Sequence, residues 1–101
     1  MIILANITIH LPSTLEPTTV ATLQAAEHTQ AIAYQQQGKL RAIWRVVGRY
    51  ANVSLWDVES PEELHDLLQR LPLFPYMSVD LTLLARHPSA VCGLEPSAEL
   101  K

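Results

Sequence analysis

One cysteine stands in the whole chain, Cys92. With no second thiol, neither an internal disulfide nor a thiolate metal cluster can form within the chain, and its place in a polar C-terminal stretch makes it a bystander rather than a nucleophile. Glycine is nearly as scarce: Gly38, Gly48 and Gly93 lie too far apart to build a phosphate-cradling loop, and no G-x-S-x-G elbow occurs. Nucleotide-dependent and serine-hydrolase chemistry are thereby set aside. Charge is thin as well. Charged residues make up 17% of the chain and sum to −3, so no broad positive field exists to hold a nucleic acid or an anionic membrane. His10, His28, His65 and His87 fall at no spacing that would make two of them obvious ligands of one metal ion, and no metal site is expected. The first eleven residues are apolar but interrupted by Asn6, Thr8 and His10, and they lack a basic start. They read as neither a secretory leader nor a membrane span, and a cytoplasmic protein is expected.

What the chain does have is apolar residues, 49% of 101. That is rich for a length that supports one hydrophobic core, so part of the apolar surface is expected to meet another subunit. Ile3, Ala5, Ile7, Ile9 and Leu11 alternate with Leu4, Asn6, Thr8 and His10, the period of a strand with one buried face. From Pro17 to Gln37 no glycine or proline interrupts an Ala- and Gln-rich run, which predicts a long helix ending at Gly38. Leu40 to Val47 and Tyr50 to Val58 read as a hairpin turning at Gly48 and Arg49. Ser60, Pro61 and Glu63 begin a second helix with Leu64, Leu67, Leu68 and Leu71 on one face. Met77, Val79, Leu81 and Leu83 then alternate as a fourth strand. The order βαββαβ predicts an α+β, ferredoxin-like domain over residues 1–89, with two helices on one face of a four-stranded antiparallel sheet and a loose tail over 90–101. The other sheet face, carrying in part Asn6, Thr8, His10, Ser78, Asp80 and Thr82, is left for a partner sheet.

Chemistry concentrates at few positions. On an ideal first helix Val20, Leu23, Ala31 and Tyr34 share a face with Glu27. Two rotations are open: one solvates Glu27 and turns Ala21, Ala25 and Ile32 to the core, the other buries the carboxylate. Burial would lift its pKa toward the working pH, as suits a general base. His28 points about 100° away from it and reads as a rim residue. Arg41, Arg45 and Arg49 form a group that could hold an organic carboxylate, with Arg41 and Arg45 on one side of a strand, or could be ordinary surface charge. Tyr50, Asn52, Ser54 and Trp56 share a face of the next strand and suit either a pocket wall or a subunit contact.

The run Trp44-Arg45, Gly48, Tyr50-Ala51-Asn52, Ser54, Asp57-Val58, Glu63-Leu64-His65, Leu71 through Met77 and Arg86-His87-Pro88-Ser89 closely resembles the muconolactone Δ-isomerase family. The resemblance extends back through Gly38, Glu27, Pro17, Leu11-Pro12 and Thr8, and covers the chain to about Ser89. It implies a cofactor-free enzyme of bacterial catechol catabolism, in the β-ketoadipate pathway, that converts muconolactone to 3-oxoadipate enol-lactone. It also implies a dimeric α+β barrel made by pairing sheets, and a decamer of five such dimers. The family's proposed base falls on Glu27; in the mechanism this suggests, Tyr50 and Asn52 are candidate donors to the lactone carbonyl, Arg45 or Arg41 could fix the acetate arm, and Phe74 and Tyr76 could close an apolar wall, in one arrangement across a subunit boundary. Asn6 and His28 stand where the family commonly has basic residues, and Leu40 where it commonly has an aromatic. Two alternatives stay open: a chloromuconolactone dehalogenase using the same base, and a non-catalytic binding or assembly module of the same fold.

Overall fold

The computed structural model describes residues 1–91; Cys92 and most of the tail lie outside them. The elements run β1 (Ile2–Ile9), α1 (Pro17–Gln36), β2 (Leu40–Arg45), β3 (Ala51–Asp57), α2 (Pro61–Gln69), a 3-10 turn at Phe74–Tyr76 and β4 (Met77–Leu84). The strands form one antiparallel sheet in the order β2-β3-β1-β4, which is the ferredoxin-like arrangement expected from the pattern. Among the described residues no helix is long and apolar enough to cross a membrane.

Register assigns the two faces. Ile3 pairs with Trp56, Ala5 with Ser54 and Ile7 with Asn52, and these residues face the helices. Ile3, Ala5, Ile7, Ile9, Ser54 and Trp56 are buried there with Leu40, Tyr34 and the α2 leucines. The Trp56 indole donates to Ser54 Oγ at 2.9 Å, and the Tyr34 ring meets Trp56 edge-on at 5.8 Å. Tyr34 also donates its hydroxyl proton to the Leu67 carbonyl at 2.7 Å, so one side chain joins α1, the sheet and α2. On the opposite face Asn6 pairs with Asp80 and Thr8 with Ser78, and all four are exposed. His10 falls just beyond β1, where its N–H donates to the Tyr76 carbonyl at 2.8 Å.

The helix ends follow local chemistry. Gly38, at φ 77°, closes α1: its N–H donates to the Gln35 carbonyl and that of Lys39 to the Tyr34 carbonyl, the pair of bonds of a Schellman motif. At the start of α2 Ser60 Oγ accepts from Glu63 N–H, while Glu63 Oε1 accepts from Glu59 N–H, one residue earlier than in the usual capping box. Lys39 and Glu63 form an ion pair at 2.9 Å between the end of one helix and the start of the other.

Three expectations change. The hairpin strands stop at Arg45 and resume at Ala51, leaving five residues, Val46 to Tyr50, of which Val46 to Arg49 make the turn: Arg49 N–H donates to the Val46 carbonyl and Gly48 takes φ 83°, as a type II turn requires at its third residue. A register shift between Leu40 and Ala42 makes Arg41 an extra residue in β2. The simple alternation that put Arg41 and Arg45 on one side therefore does not carry across it. Finally, Leu81 and Leu83 do share the inward side of β4, but they are 48% and 68% exposed. Alternation sets the direction of a side chain, and here the helices do not reach far enough to cover it.

A candidate active site between the first helix and the hairpin

A cavity of about 740 Å³ opens between α1 and the hairpin end of the sheet. Gln24, Glu27, His28 and Ala31 line it from α1, Ile43 and Arg45 from β2, Arg49 and Tyr50 from the turn, Asn52 from β3, with Ile9 and Leu73 at the base. The register explains this wall. Arg45 pairs with Asn52, which pairs in turn with Ile7 of β1, so the same face that is closed by Trp56 and Leu40 at one end of the sheet is open at the other.

The structure settles the rotation of α1. Val20, Leu23, Glu27 and Ala31 are half-buried and Tyr34 is buried, whereas Ala21 and Ala25 are exposed and Ile32 is 40% exposed. The carboxylate therefore sits on the inward face. Loss of hydration pushes the Glu27 pKa above the ordinary carboxylate value, and a hydrogen bond from Leu73 N–H to Oε1, at 2.9 Å, pulls partly the other way. That bond leaves Oε2 as the oxygen available to a proton.

Arg45 and Arg49 bring two guanidinium groups to the same cavity, and among the described residues neither forms an ion pair. In a chain of net charge −3 this is a local positive field in the same cavity as a carboxyl group whose pKa is raised by burial. It suits a small organic anion. Tyr50 accepts a hydrogen bond from Gln24 Nε2 at 3.0 Å. Asn52 Oδ1 is buried without a hydrogen-bond partner, a costly state for an amide oxygen and a sign of an incomplete polar network at the cavity wall. His28 is exposed at the rim. Among the described residues no cluster of three or more His, Cys, Asp or Glu could hold a metal ion.

Of the residues singled out in the sequence, Glu27, Arg45, Tyr50 and Asn52 come together here. Three do not. Arg41, the extra residue of the bulge, lies with its guanidinium Nη1 3.8 Å from where a Cβ at Gly38 would stand, beyond the cavity wall. Phe74 meets His65 of α2 edge-on at 6.1 Å, and Tyr76 packs against the core at the end of β1. The 3-10 turn carries both side chains away from the cavity, and it is Leu73, just before it, that turns in. Gln24 and Leu73 were not expected. Gln24 had a readable signal, since it precedes Glu27 by three residues and so shares its helical face; Leu73 acts through its backbone N–H, which no side-chain pattern reports.

Fold and site together define a ferredoxin-like α+β protein with a half-buried carboxyl group and two arginines in one cavity, a set of groups with the chemistry to hold an anion and move a proton. The comparisons with known proteins specify the group to which it belongs. The family model described as muconolactone delta-isomerase matches residues 1–90. Muconolactone Delta-isomerase 2 of Acinetobacter lwoffii is 45% identical over 90% of this chain and 95% of that protein, and the Muconolactone Delta-isomerase of Pseudomonas aeruginosa is 44% identical over the same shares. A crystal structure of a muconolactone isomerase superposes with a TM-score of 0.86 at 43% identity, covering 90% of this chain and 95% of the other. The chain belongs to the muconolactone delta-isomerase family. A 5-chloro-2-hydroxyhydroquinone dehydrochlorinase from Burkholderia phenoliruptrix AC1100, at 14% identity and a TM-score of 0.58, shares the fold alone.

Proposed function

We propose that this chain is a cofactor-free muconolactone Δ-isomerase in which Glu27 carries the proton. The observation that carries the reading is the half-buried Glu27, anchored through Oε1 by Leu73 N–H, in one cavity with Arg45 and Arg49. The family and its relatives supply the substrate, a five-membered unsaturated lactone bearing an acetate arm. The ring hydrogen on the carbon that carries this arm is acidic because the carbon is conjugated, through the double bond, to the lactone carbonyl. Glu27 Oε2 takes that proton, and the electron pair spreads over a dienolate whose negative charge rests on the carbonyl oxygen. Returning the proton to the ring carbon next to the carbonyl moves the double bond to the arm-bearing carbon and gives 3-oxoadipate enol-lactone. Glu27 is then a carboxylate again. One base serves both transfers, and its raised pKa suits a group that must both accept and release a proton.

Around that step the arginines fix the arm. Arg45, with Arg49 beside it, holds the acetate carboxylate by paired donors, which positions the ring over Oε2. Tyr50 and Asn52 face the carbonyl end as donors to the developing oxyanion. The same reading includes a cytoplasmic enzyme of catechol catabolism that pairs through its open sheet face and assembles as a decamer of five dimers. Support for self-association comes from Trp44 and Leu84 on that face, 56% and 42% exposed, and from Leu81 and Leu83, which the helices leave uncovered on the inward side at 48% and 68% exposed, an apolar surplus on a small chain.

The test is to incubate purified protein and its Glu27→Gln variant with muconolactone and with 5-chloromuconolactone, following ultraviolet absorbance and chloride release. Isomerisation of muconolactone by the wild type, lost in Glu27→Gln, is expected. Chloride release with poor turnover of muconolactone would assign the chain to elimination chemistry, and binding without turnover would make it a module of the same fold. Light scattering on the eluting protein measures the assembly, for which a monomer is the adverse result.

A further inference from the structure

Gln24 and Tyr50 lie 26 residues apart, on α1 and just before β3, and their hydrogen bond bridges the two walls of the cavity. Gln24 stands three residues before Glu27, on the same face of the helix, so the residue that touches Tyr50 is fixed to the element that carries the base. A tyrosine hydroxyl has one proton to give and two lone pairs to receive. With Gln24 Nε2 donating at 3.0 Å, the phenol oxygen is the acceptor, and its own proton must point elsewhere. The phenolic hydrogen favours the ring plane, so occupying one side leaves the other. Accepting one hydrogen bond also strengthens the bond a hydroxyl donates.

We propose that Gln24 is a positioning residue: by donating to Tyr50 it turns the tyrosine proton into the cavity, toward the lactone carbonyl oxygen where charge develops. This rests on the isomerase reading above and deepens it. It gives Gln24 a role through Tyr50 alone, without contact to the reacting carbons. It also makes a demand on polarity, because a side chain at position 24 that only accepts would capture the tyrosine proton and leave the carbonyl oxygen without it.

Three substitutions separate donor from acceptor at this exposed helical position, where each residue is tolerated by a helix. Gln24→Met removes the bond and keeps the length, Gln24→Lys can only donate, and Gln24→Glu at neutral pH can only accept. Steady-state turnover of muconolactone is measured for each, alone and combined with Tyr50→Phe. Gln24→Met is expected to lower kcat about 3- to 10-fold with little change in KM, the scale of one hydrogen bond expressed in the transition state. Gln24→Lys recovers most of the rate, and Gln24→Glu falls at least as far as Gln24→Met. In the Tyr50→Phe background all three become silent in kcat. An unchanged kcat for Gln24→Met, full kcat for Gln24→Glu, or a loss that persists without the tyrosine hydroxyl would each overturn the assignment. Glu27→Gln run in parallel separates the two levels. If it retains turnover the isomerase mechanism itself fails, whereas if it is dead and the Gln24 series is flat, only the role of Gln24 falls.

Discussion

The two helices pack on one face of one sheet, yet they are built on opposite plans. α2 is short, capped at Ser60, and sends Leu64, Leu67 and Leu68 wholly into the core. α1 is more than twice as long, has no side-chain cap at Glu16, and buries one residue, Tyr34. Along the rest of its inward face Leu23 packs at the margin of the core, and Glu27 and Ala31 are half-covered because the cavity lies beneath them. A helix that roofs a cavity cannot also fill the space below it, and here the second helix and the far end of the sheet supply the packing that the first gives up. If that division is correct, substitutions in α1 damage turnover with little cost to folding, and substitutions in α2 do the reverse.

The largest effect expected on the α1 side is Glu27→Gln, which keeps the shape and can still accept from Leu73 N–H while removing the proposed base. Turnover should fall about 100- to 10,000-fold, the usual worth of a positioned general base, with the far-ultraviolet circular dichroism unchanged. On the α2 side, Leu64→Ala empties a site that is 1% exposed and should cost about 2–5 kcal/mol of stability in a urea titration, with kcat per folded molecule near wild type below the transition. A Leu64→Ala protein that stays folded yet loses turnover would break the comparison. Ser60→Ala, which removes the acceptor for Glu63 N–H, is a smaller probe of the same side, at about 1 kcal/mol.

How much of this was legible depends on which residues are asked. Period-two runs and the leucine spacing locate β1, β4 and α2, because burial on one face leaves a direct imprint on sequence. The inward rotation of α1 leaves no such imprint: with alanines on several faces, the helix pattern permits Glu27 in or out, and the contacts of Leu23, Ala31 and Tyr34 decide. Arg41 shows a different limit, since one unpaired residue in β2 shifts every count that crosses it, and such a bulge has no composition of its own. Phe74 and Tyr76 stand apart from the cavity of their own chain for a third reason. Aromatic residues in a proline-flanked loop suit a pocket wall, but the 3-10 turn sends them to α2 and the core and gives the cavity Leu73 instead. That Glu27, Arg45, Tyr50 and Asn52 line one cavity agrees with the grouping suggested by family resemblance joined to residue chemistry, whereas the Leu73 hydrogen bond depends on where a backbone N–H points.

The finest test of the comparison uses one glutamate from each helix. Burial raises the pKa of Glu27 in α1, whereas the Glu59 N–H and then Lys39 lower that of Glu63 in α2. A carboxyl group whose folded pKa is raised binds its proton more tightly in the folded state, so folding loses stability as pH climbs from the ordinary value of 4.5 through the raised one. Glu27→Gln should therefore be more stable than wild type at neutral pH, with the gap closing in acid, and the wild-type kcat/KM should rise through that same raised pKa. For Glu63 the sign reverses. Its stabilisation is present above the unfolded pKa and disappears as pH falls through the lowered folded one, so Glu63→Gln should be less stable than wild type at neutral pH and should likewise converge with it in acid. Urea midpoints of the three proteins from pH 3 to pH 8 would show two gaps of opposite sign that vanish at the acid end. Gaps of one sign, or a Glu27→Gln curve parallel to wild type, would mean that the carboxylate on α1 is not held against its solvation, and the energetic contrast between the helices would rest on packing alone.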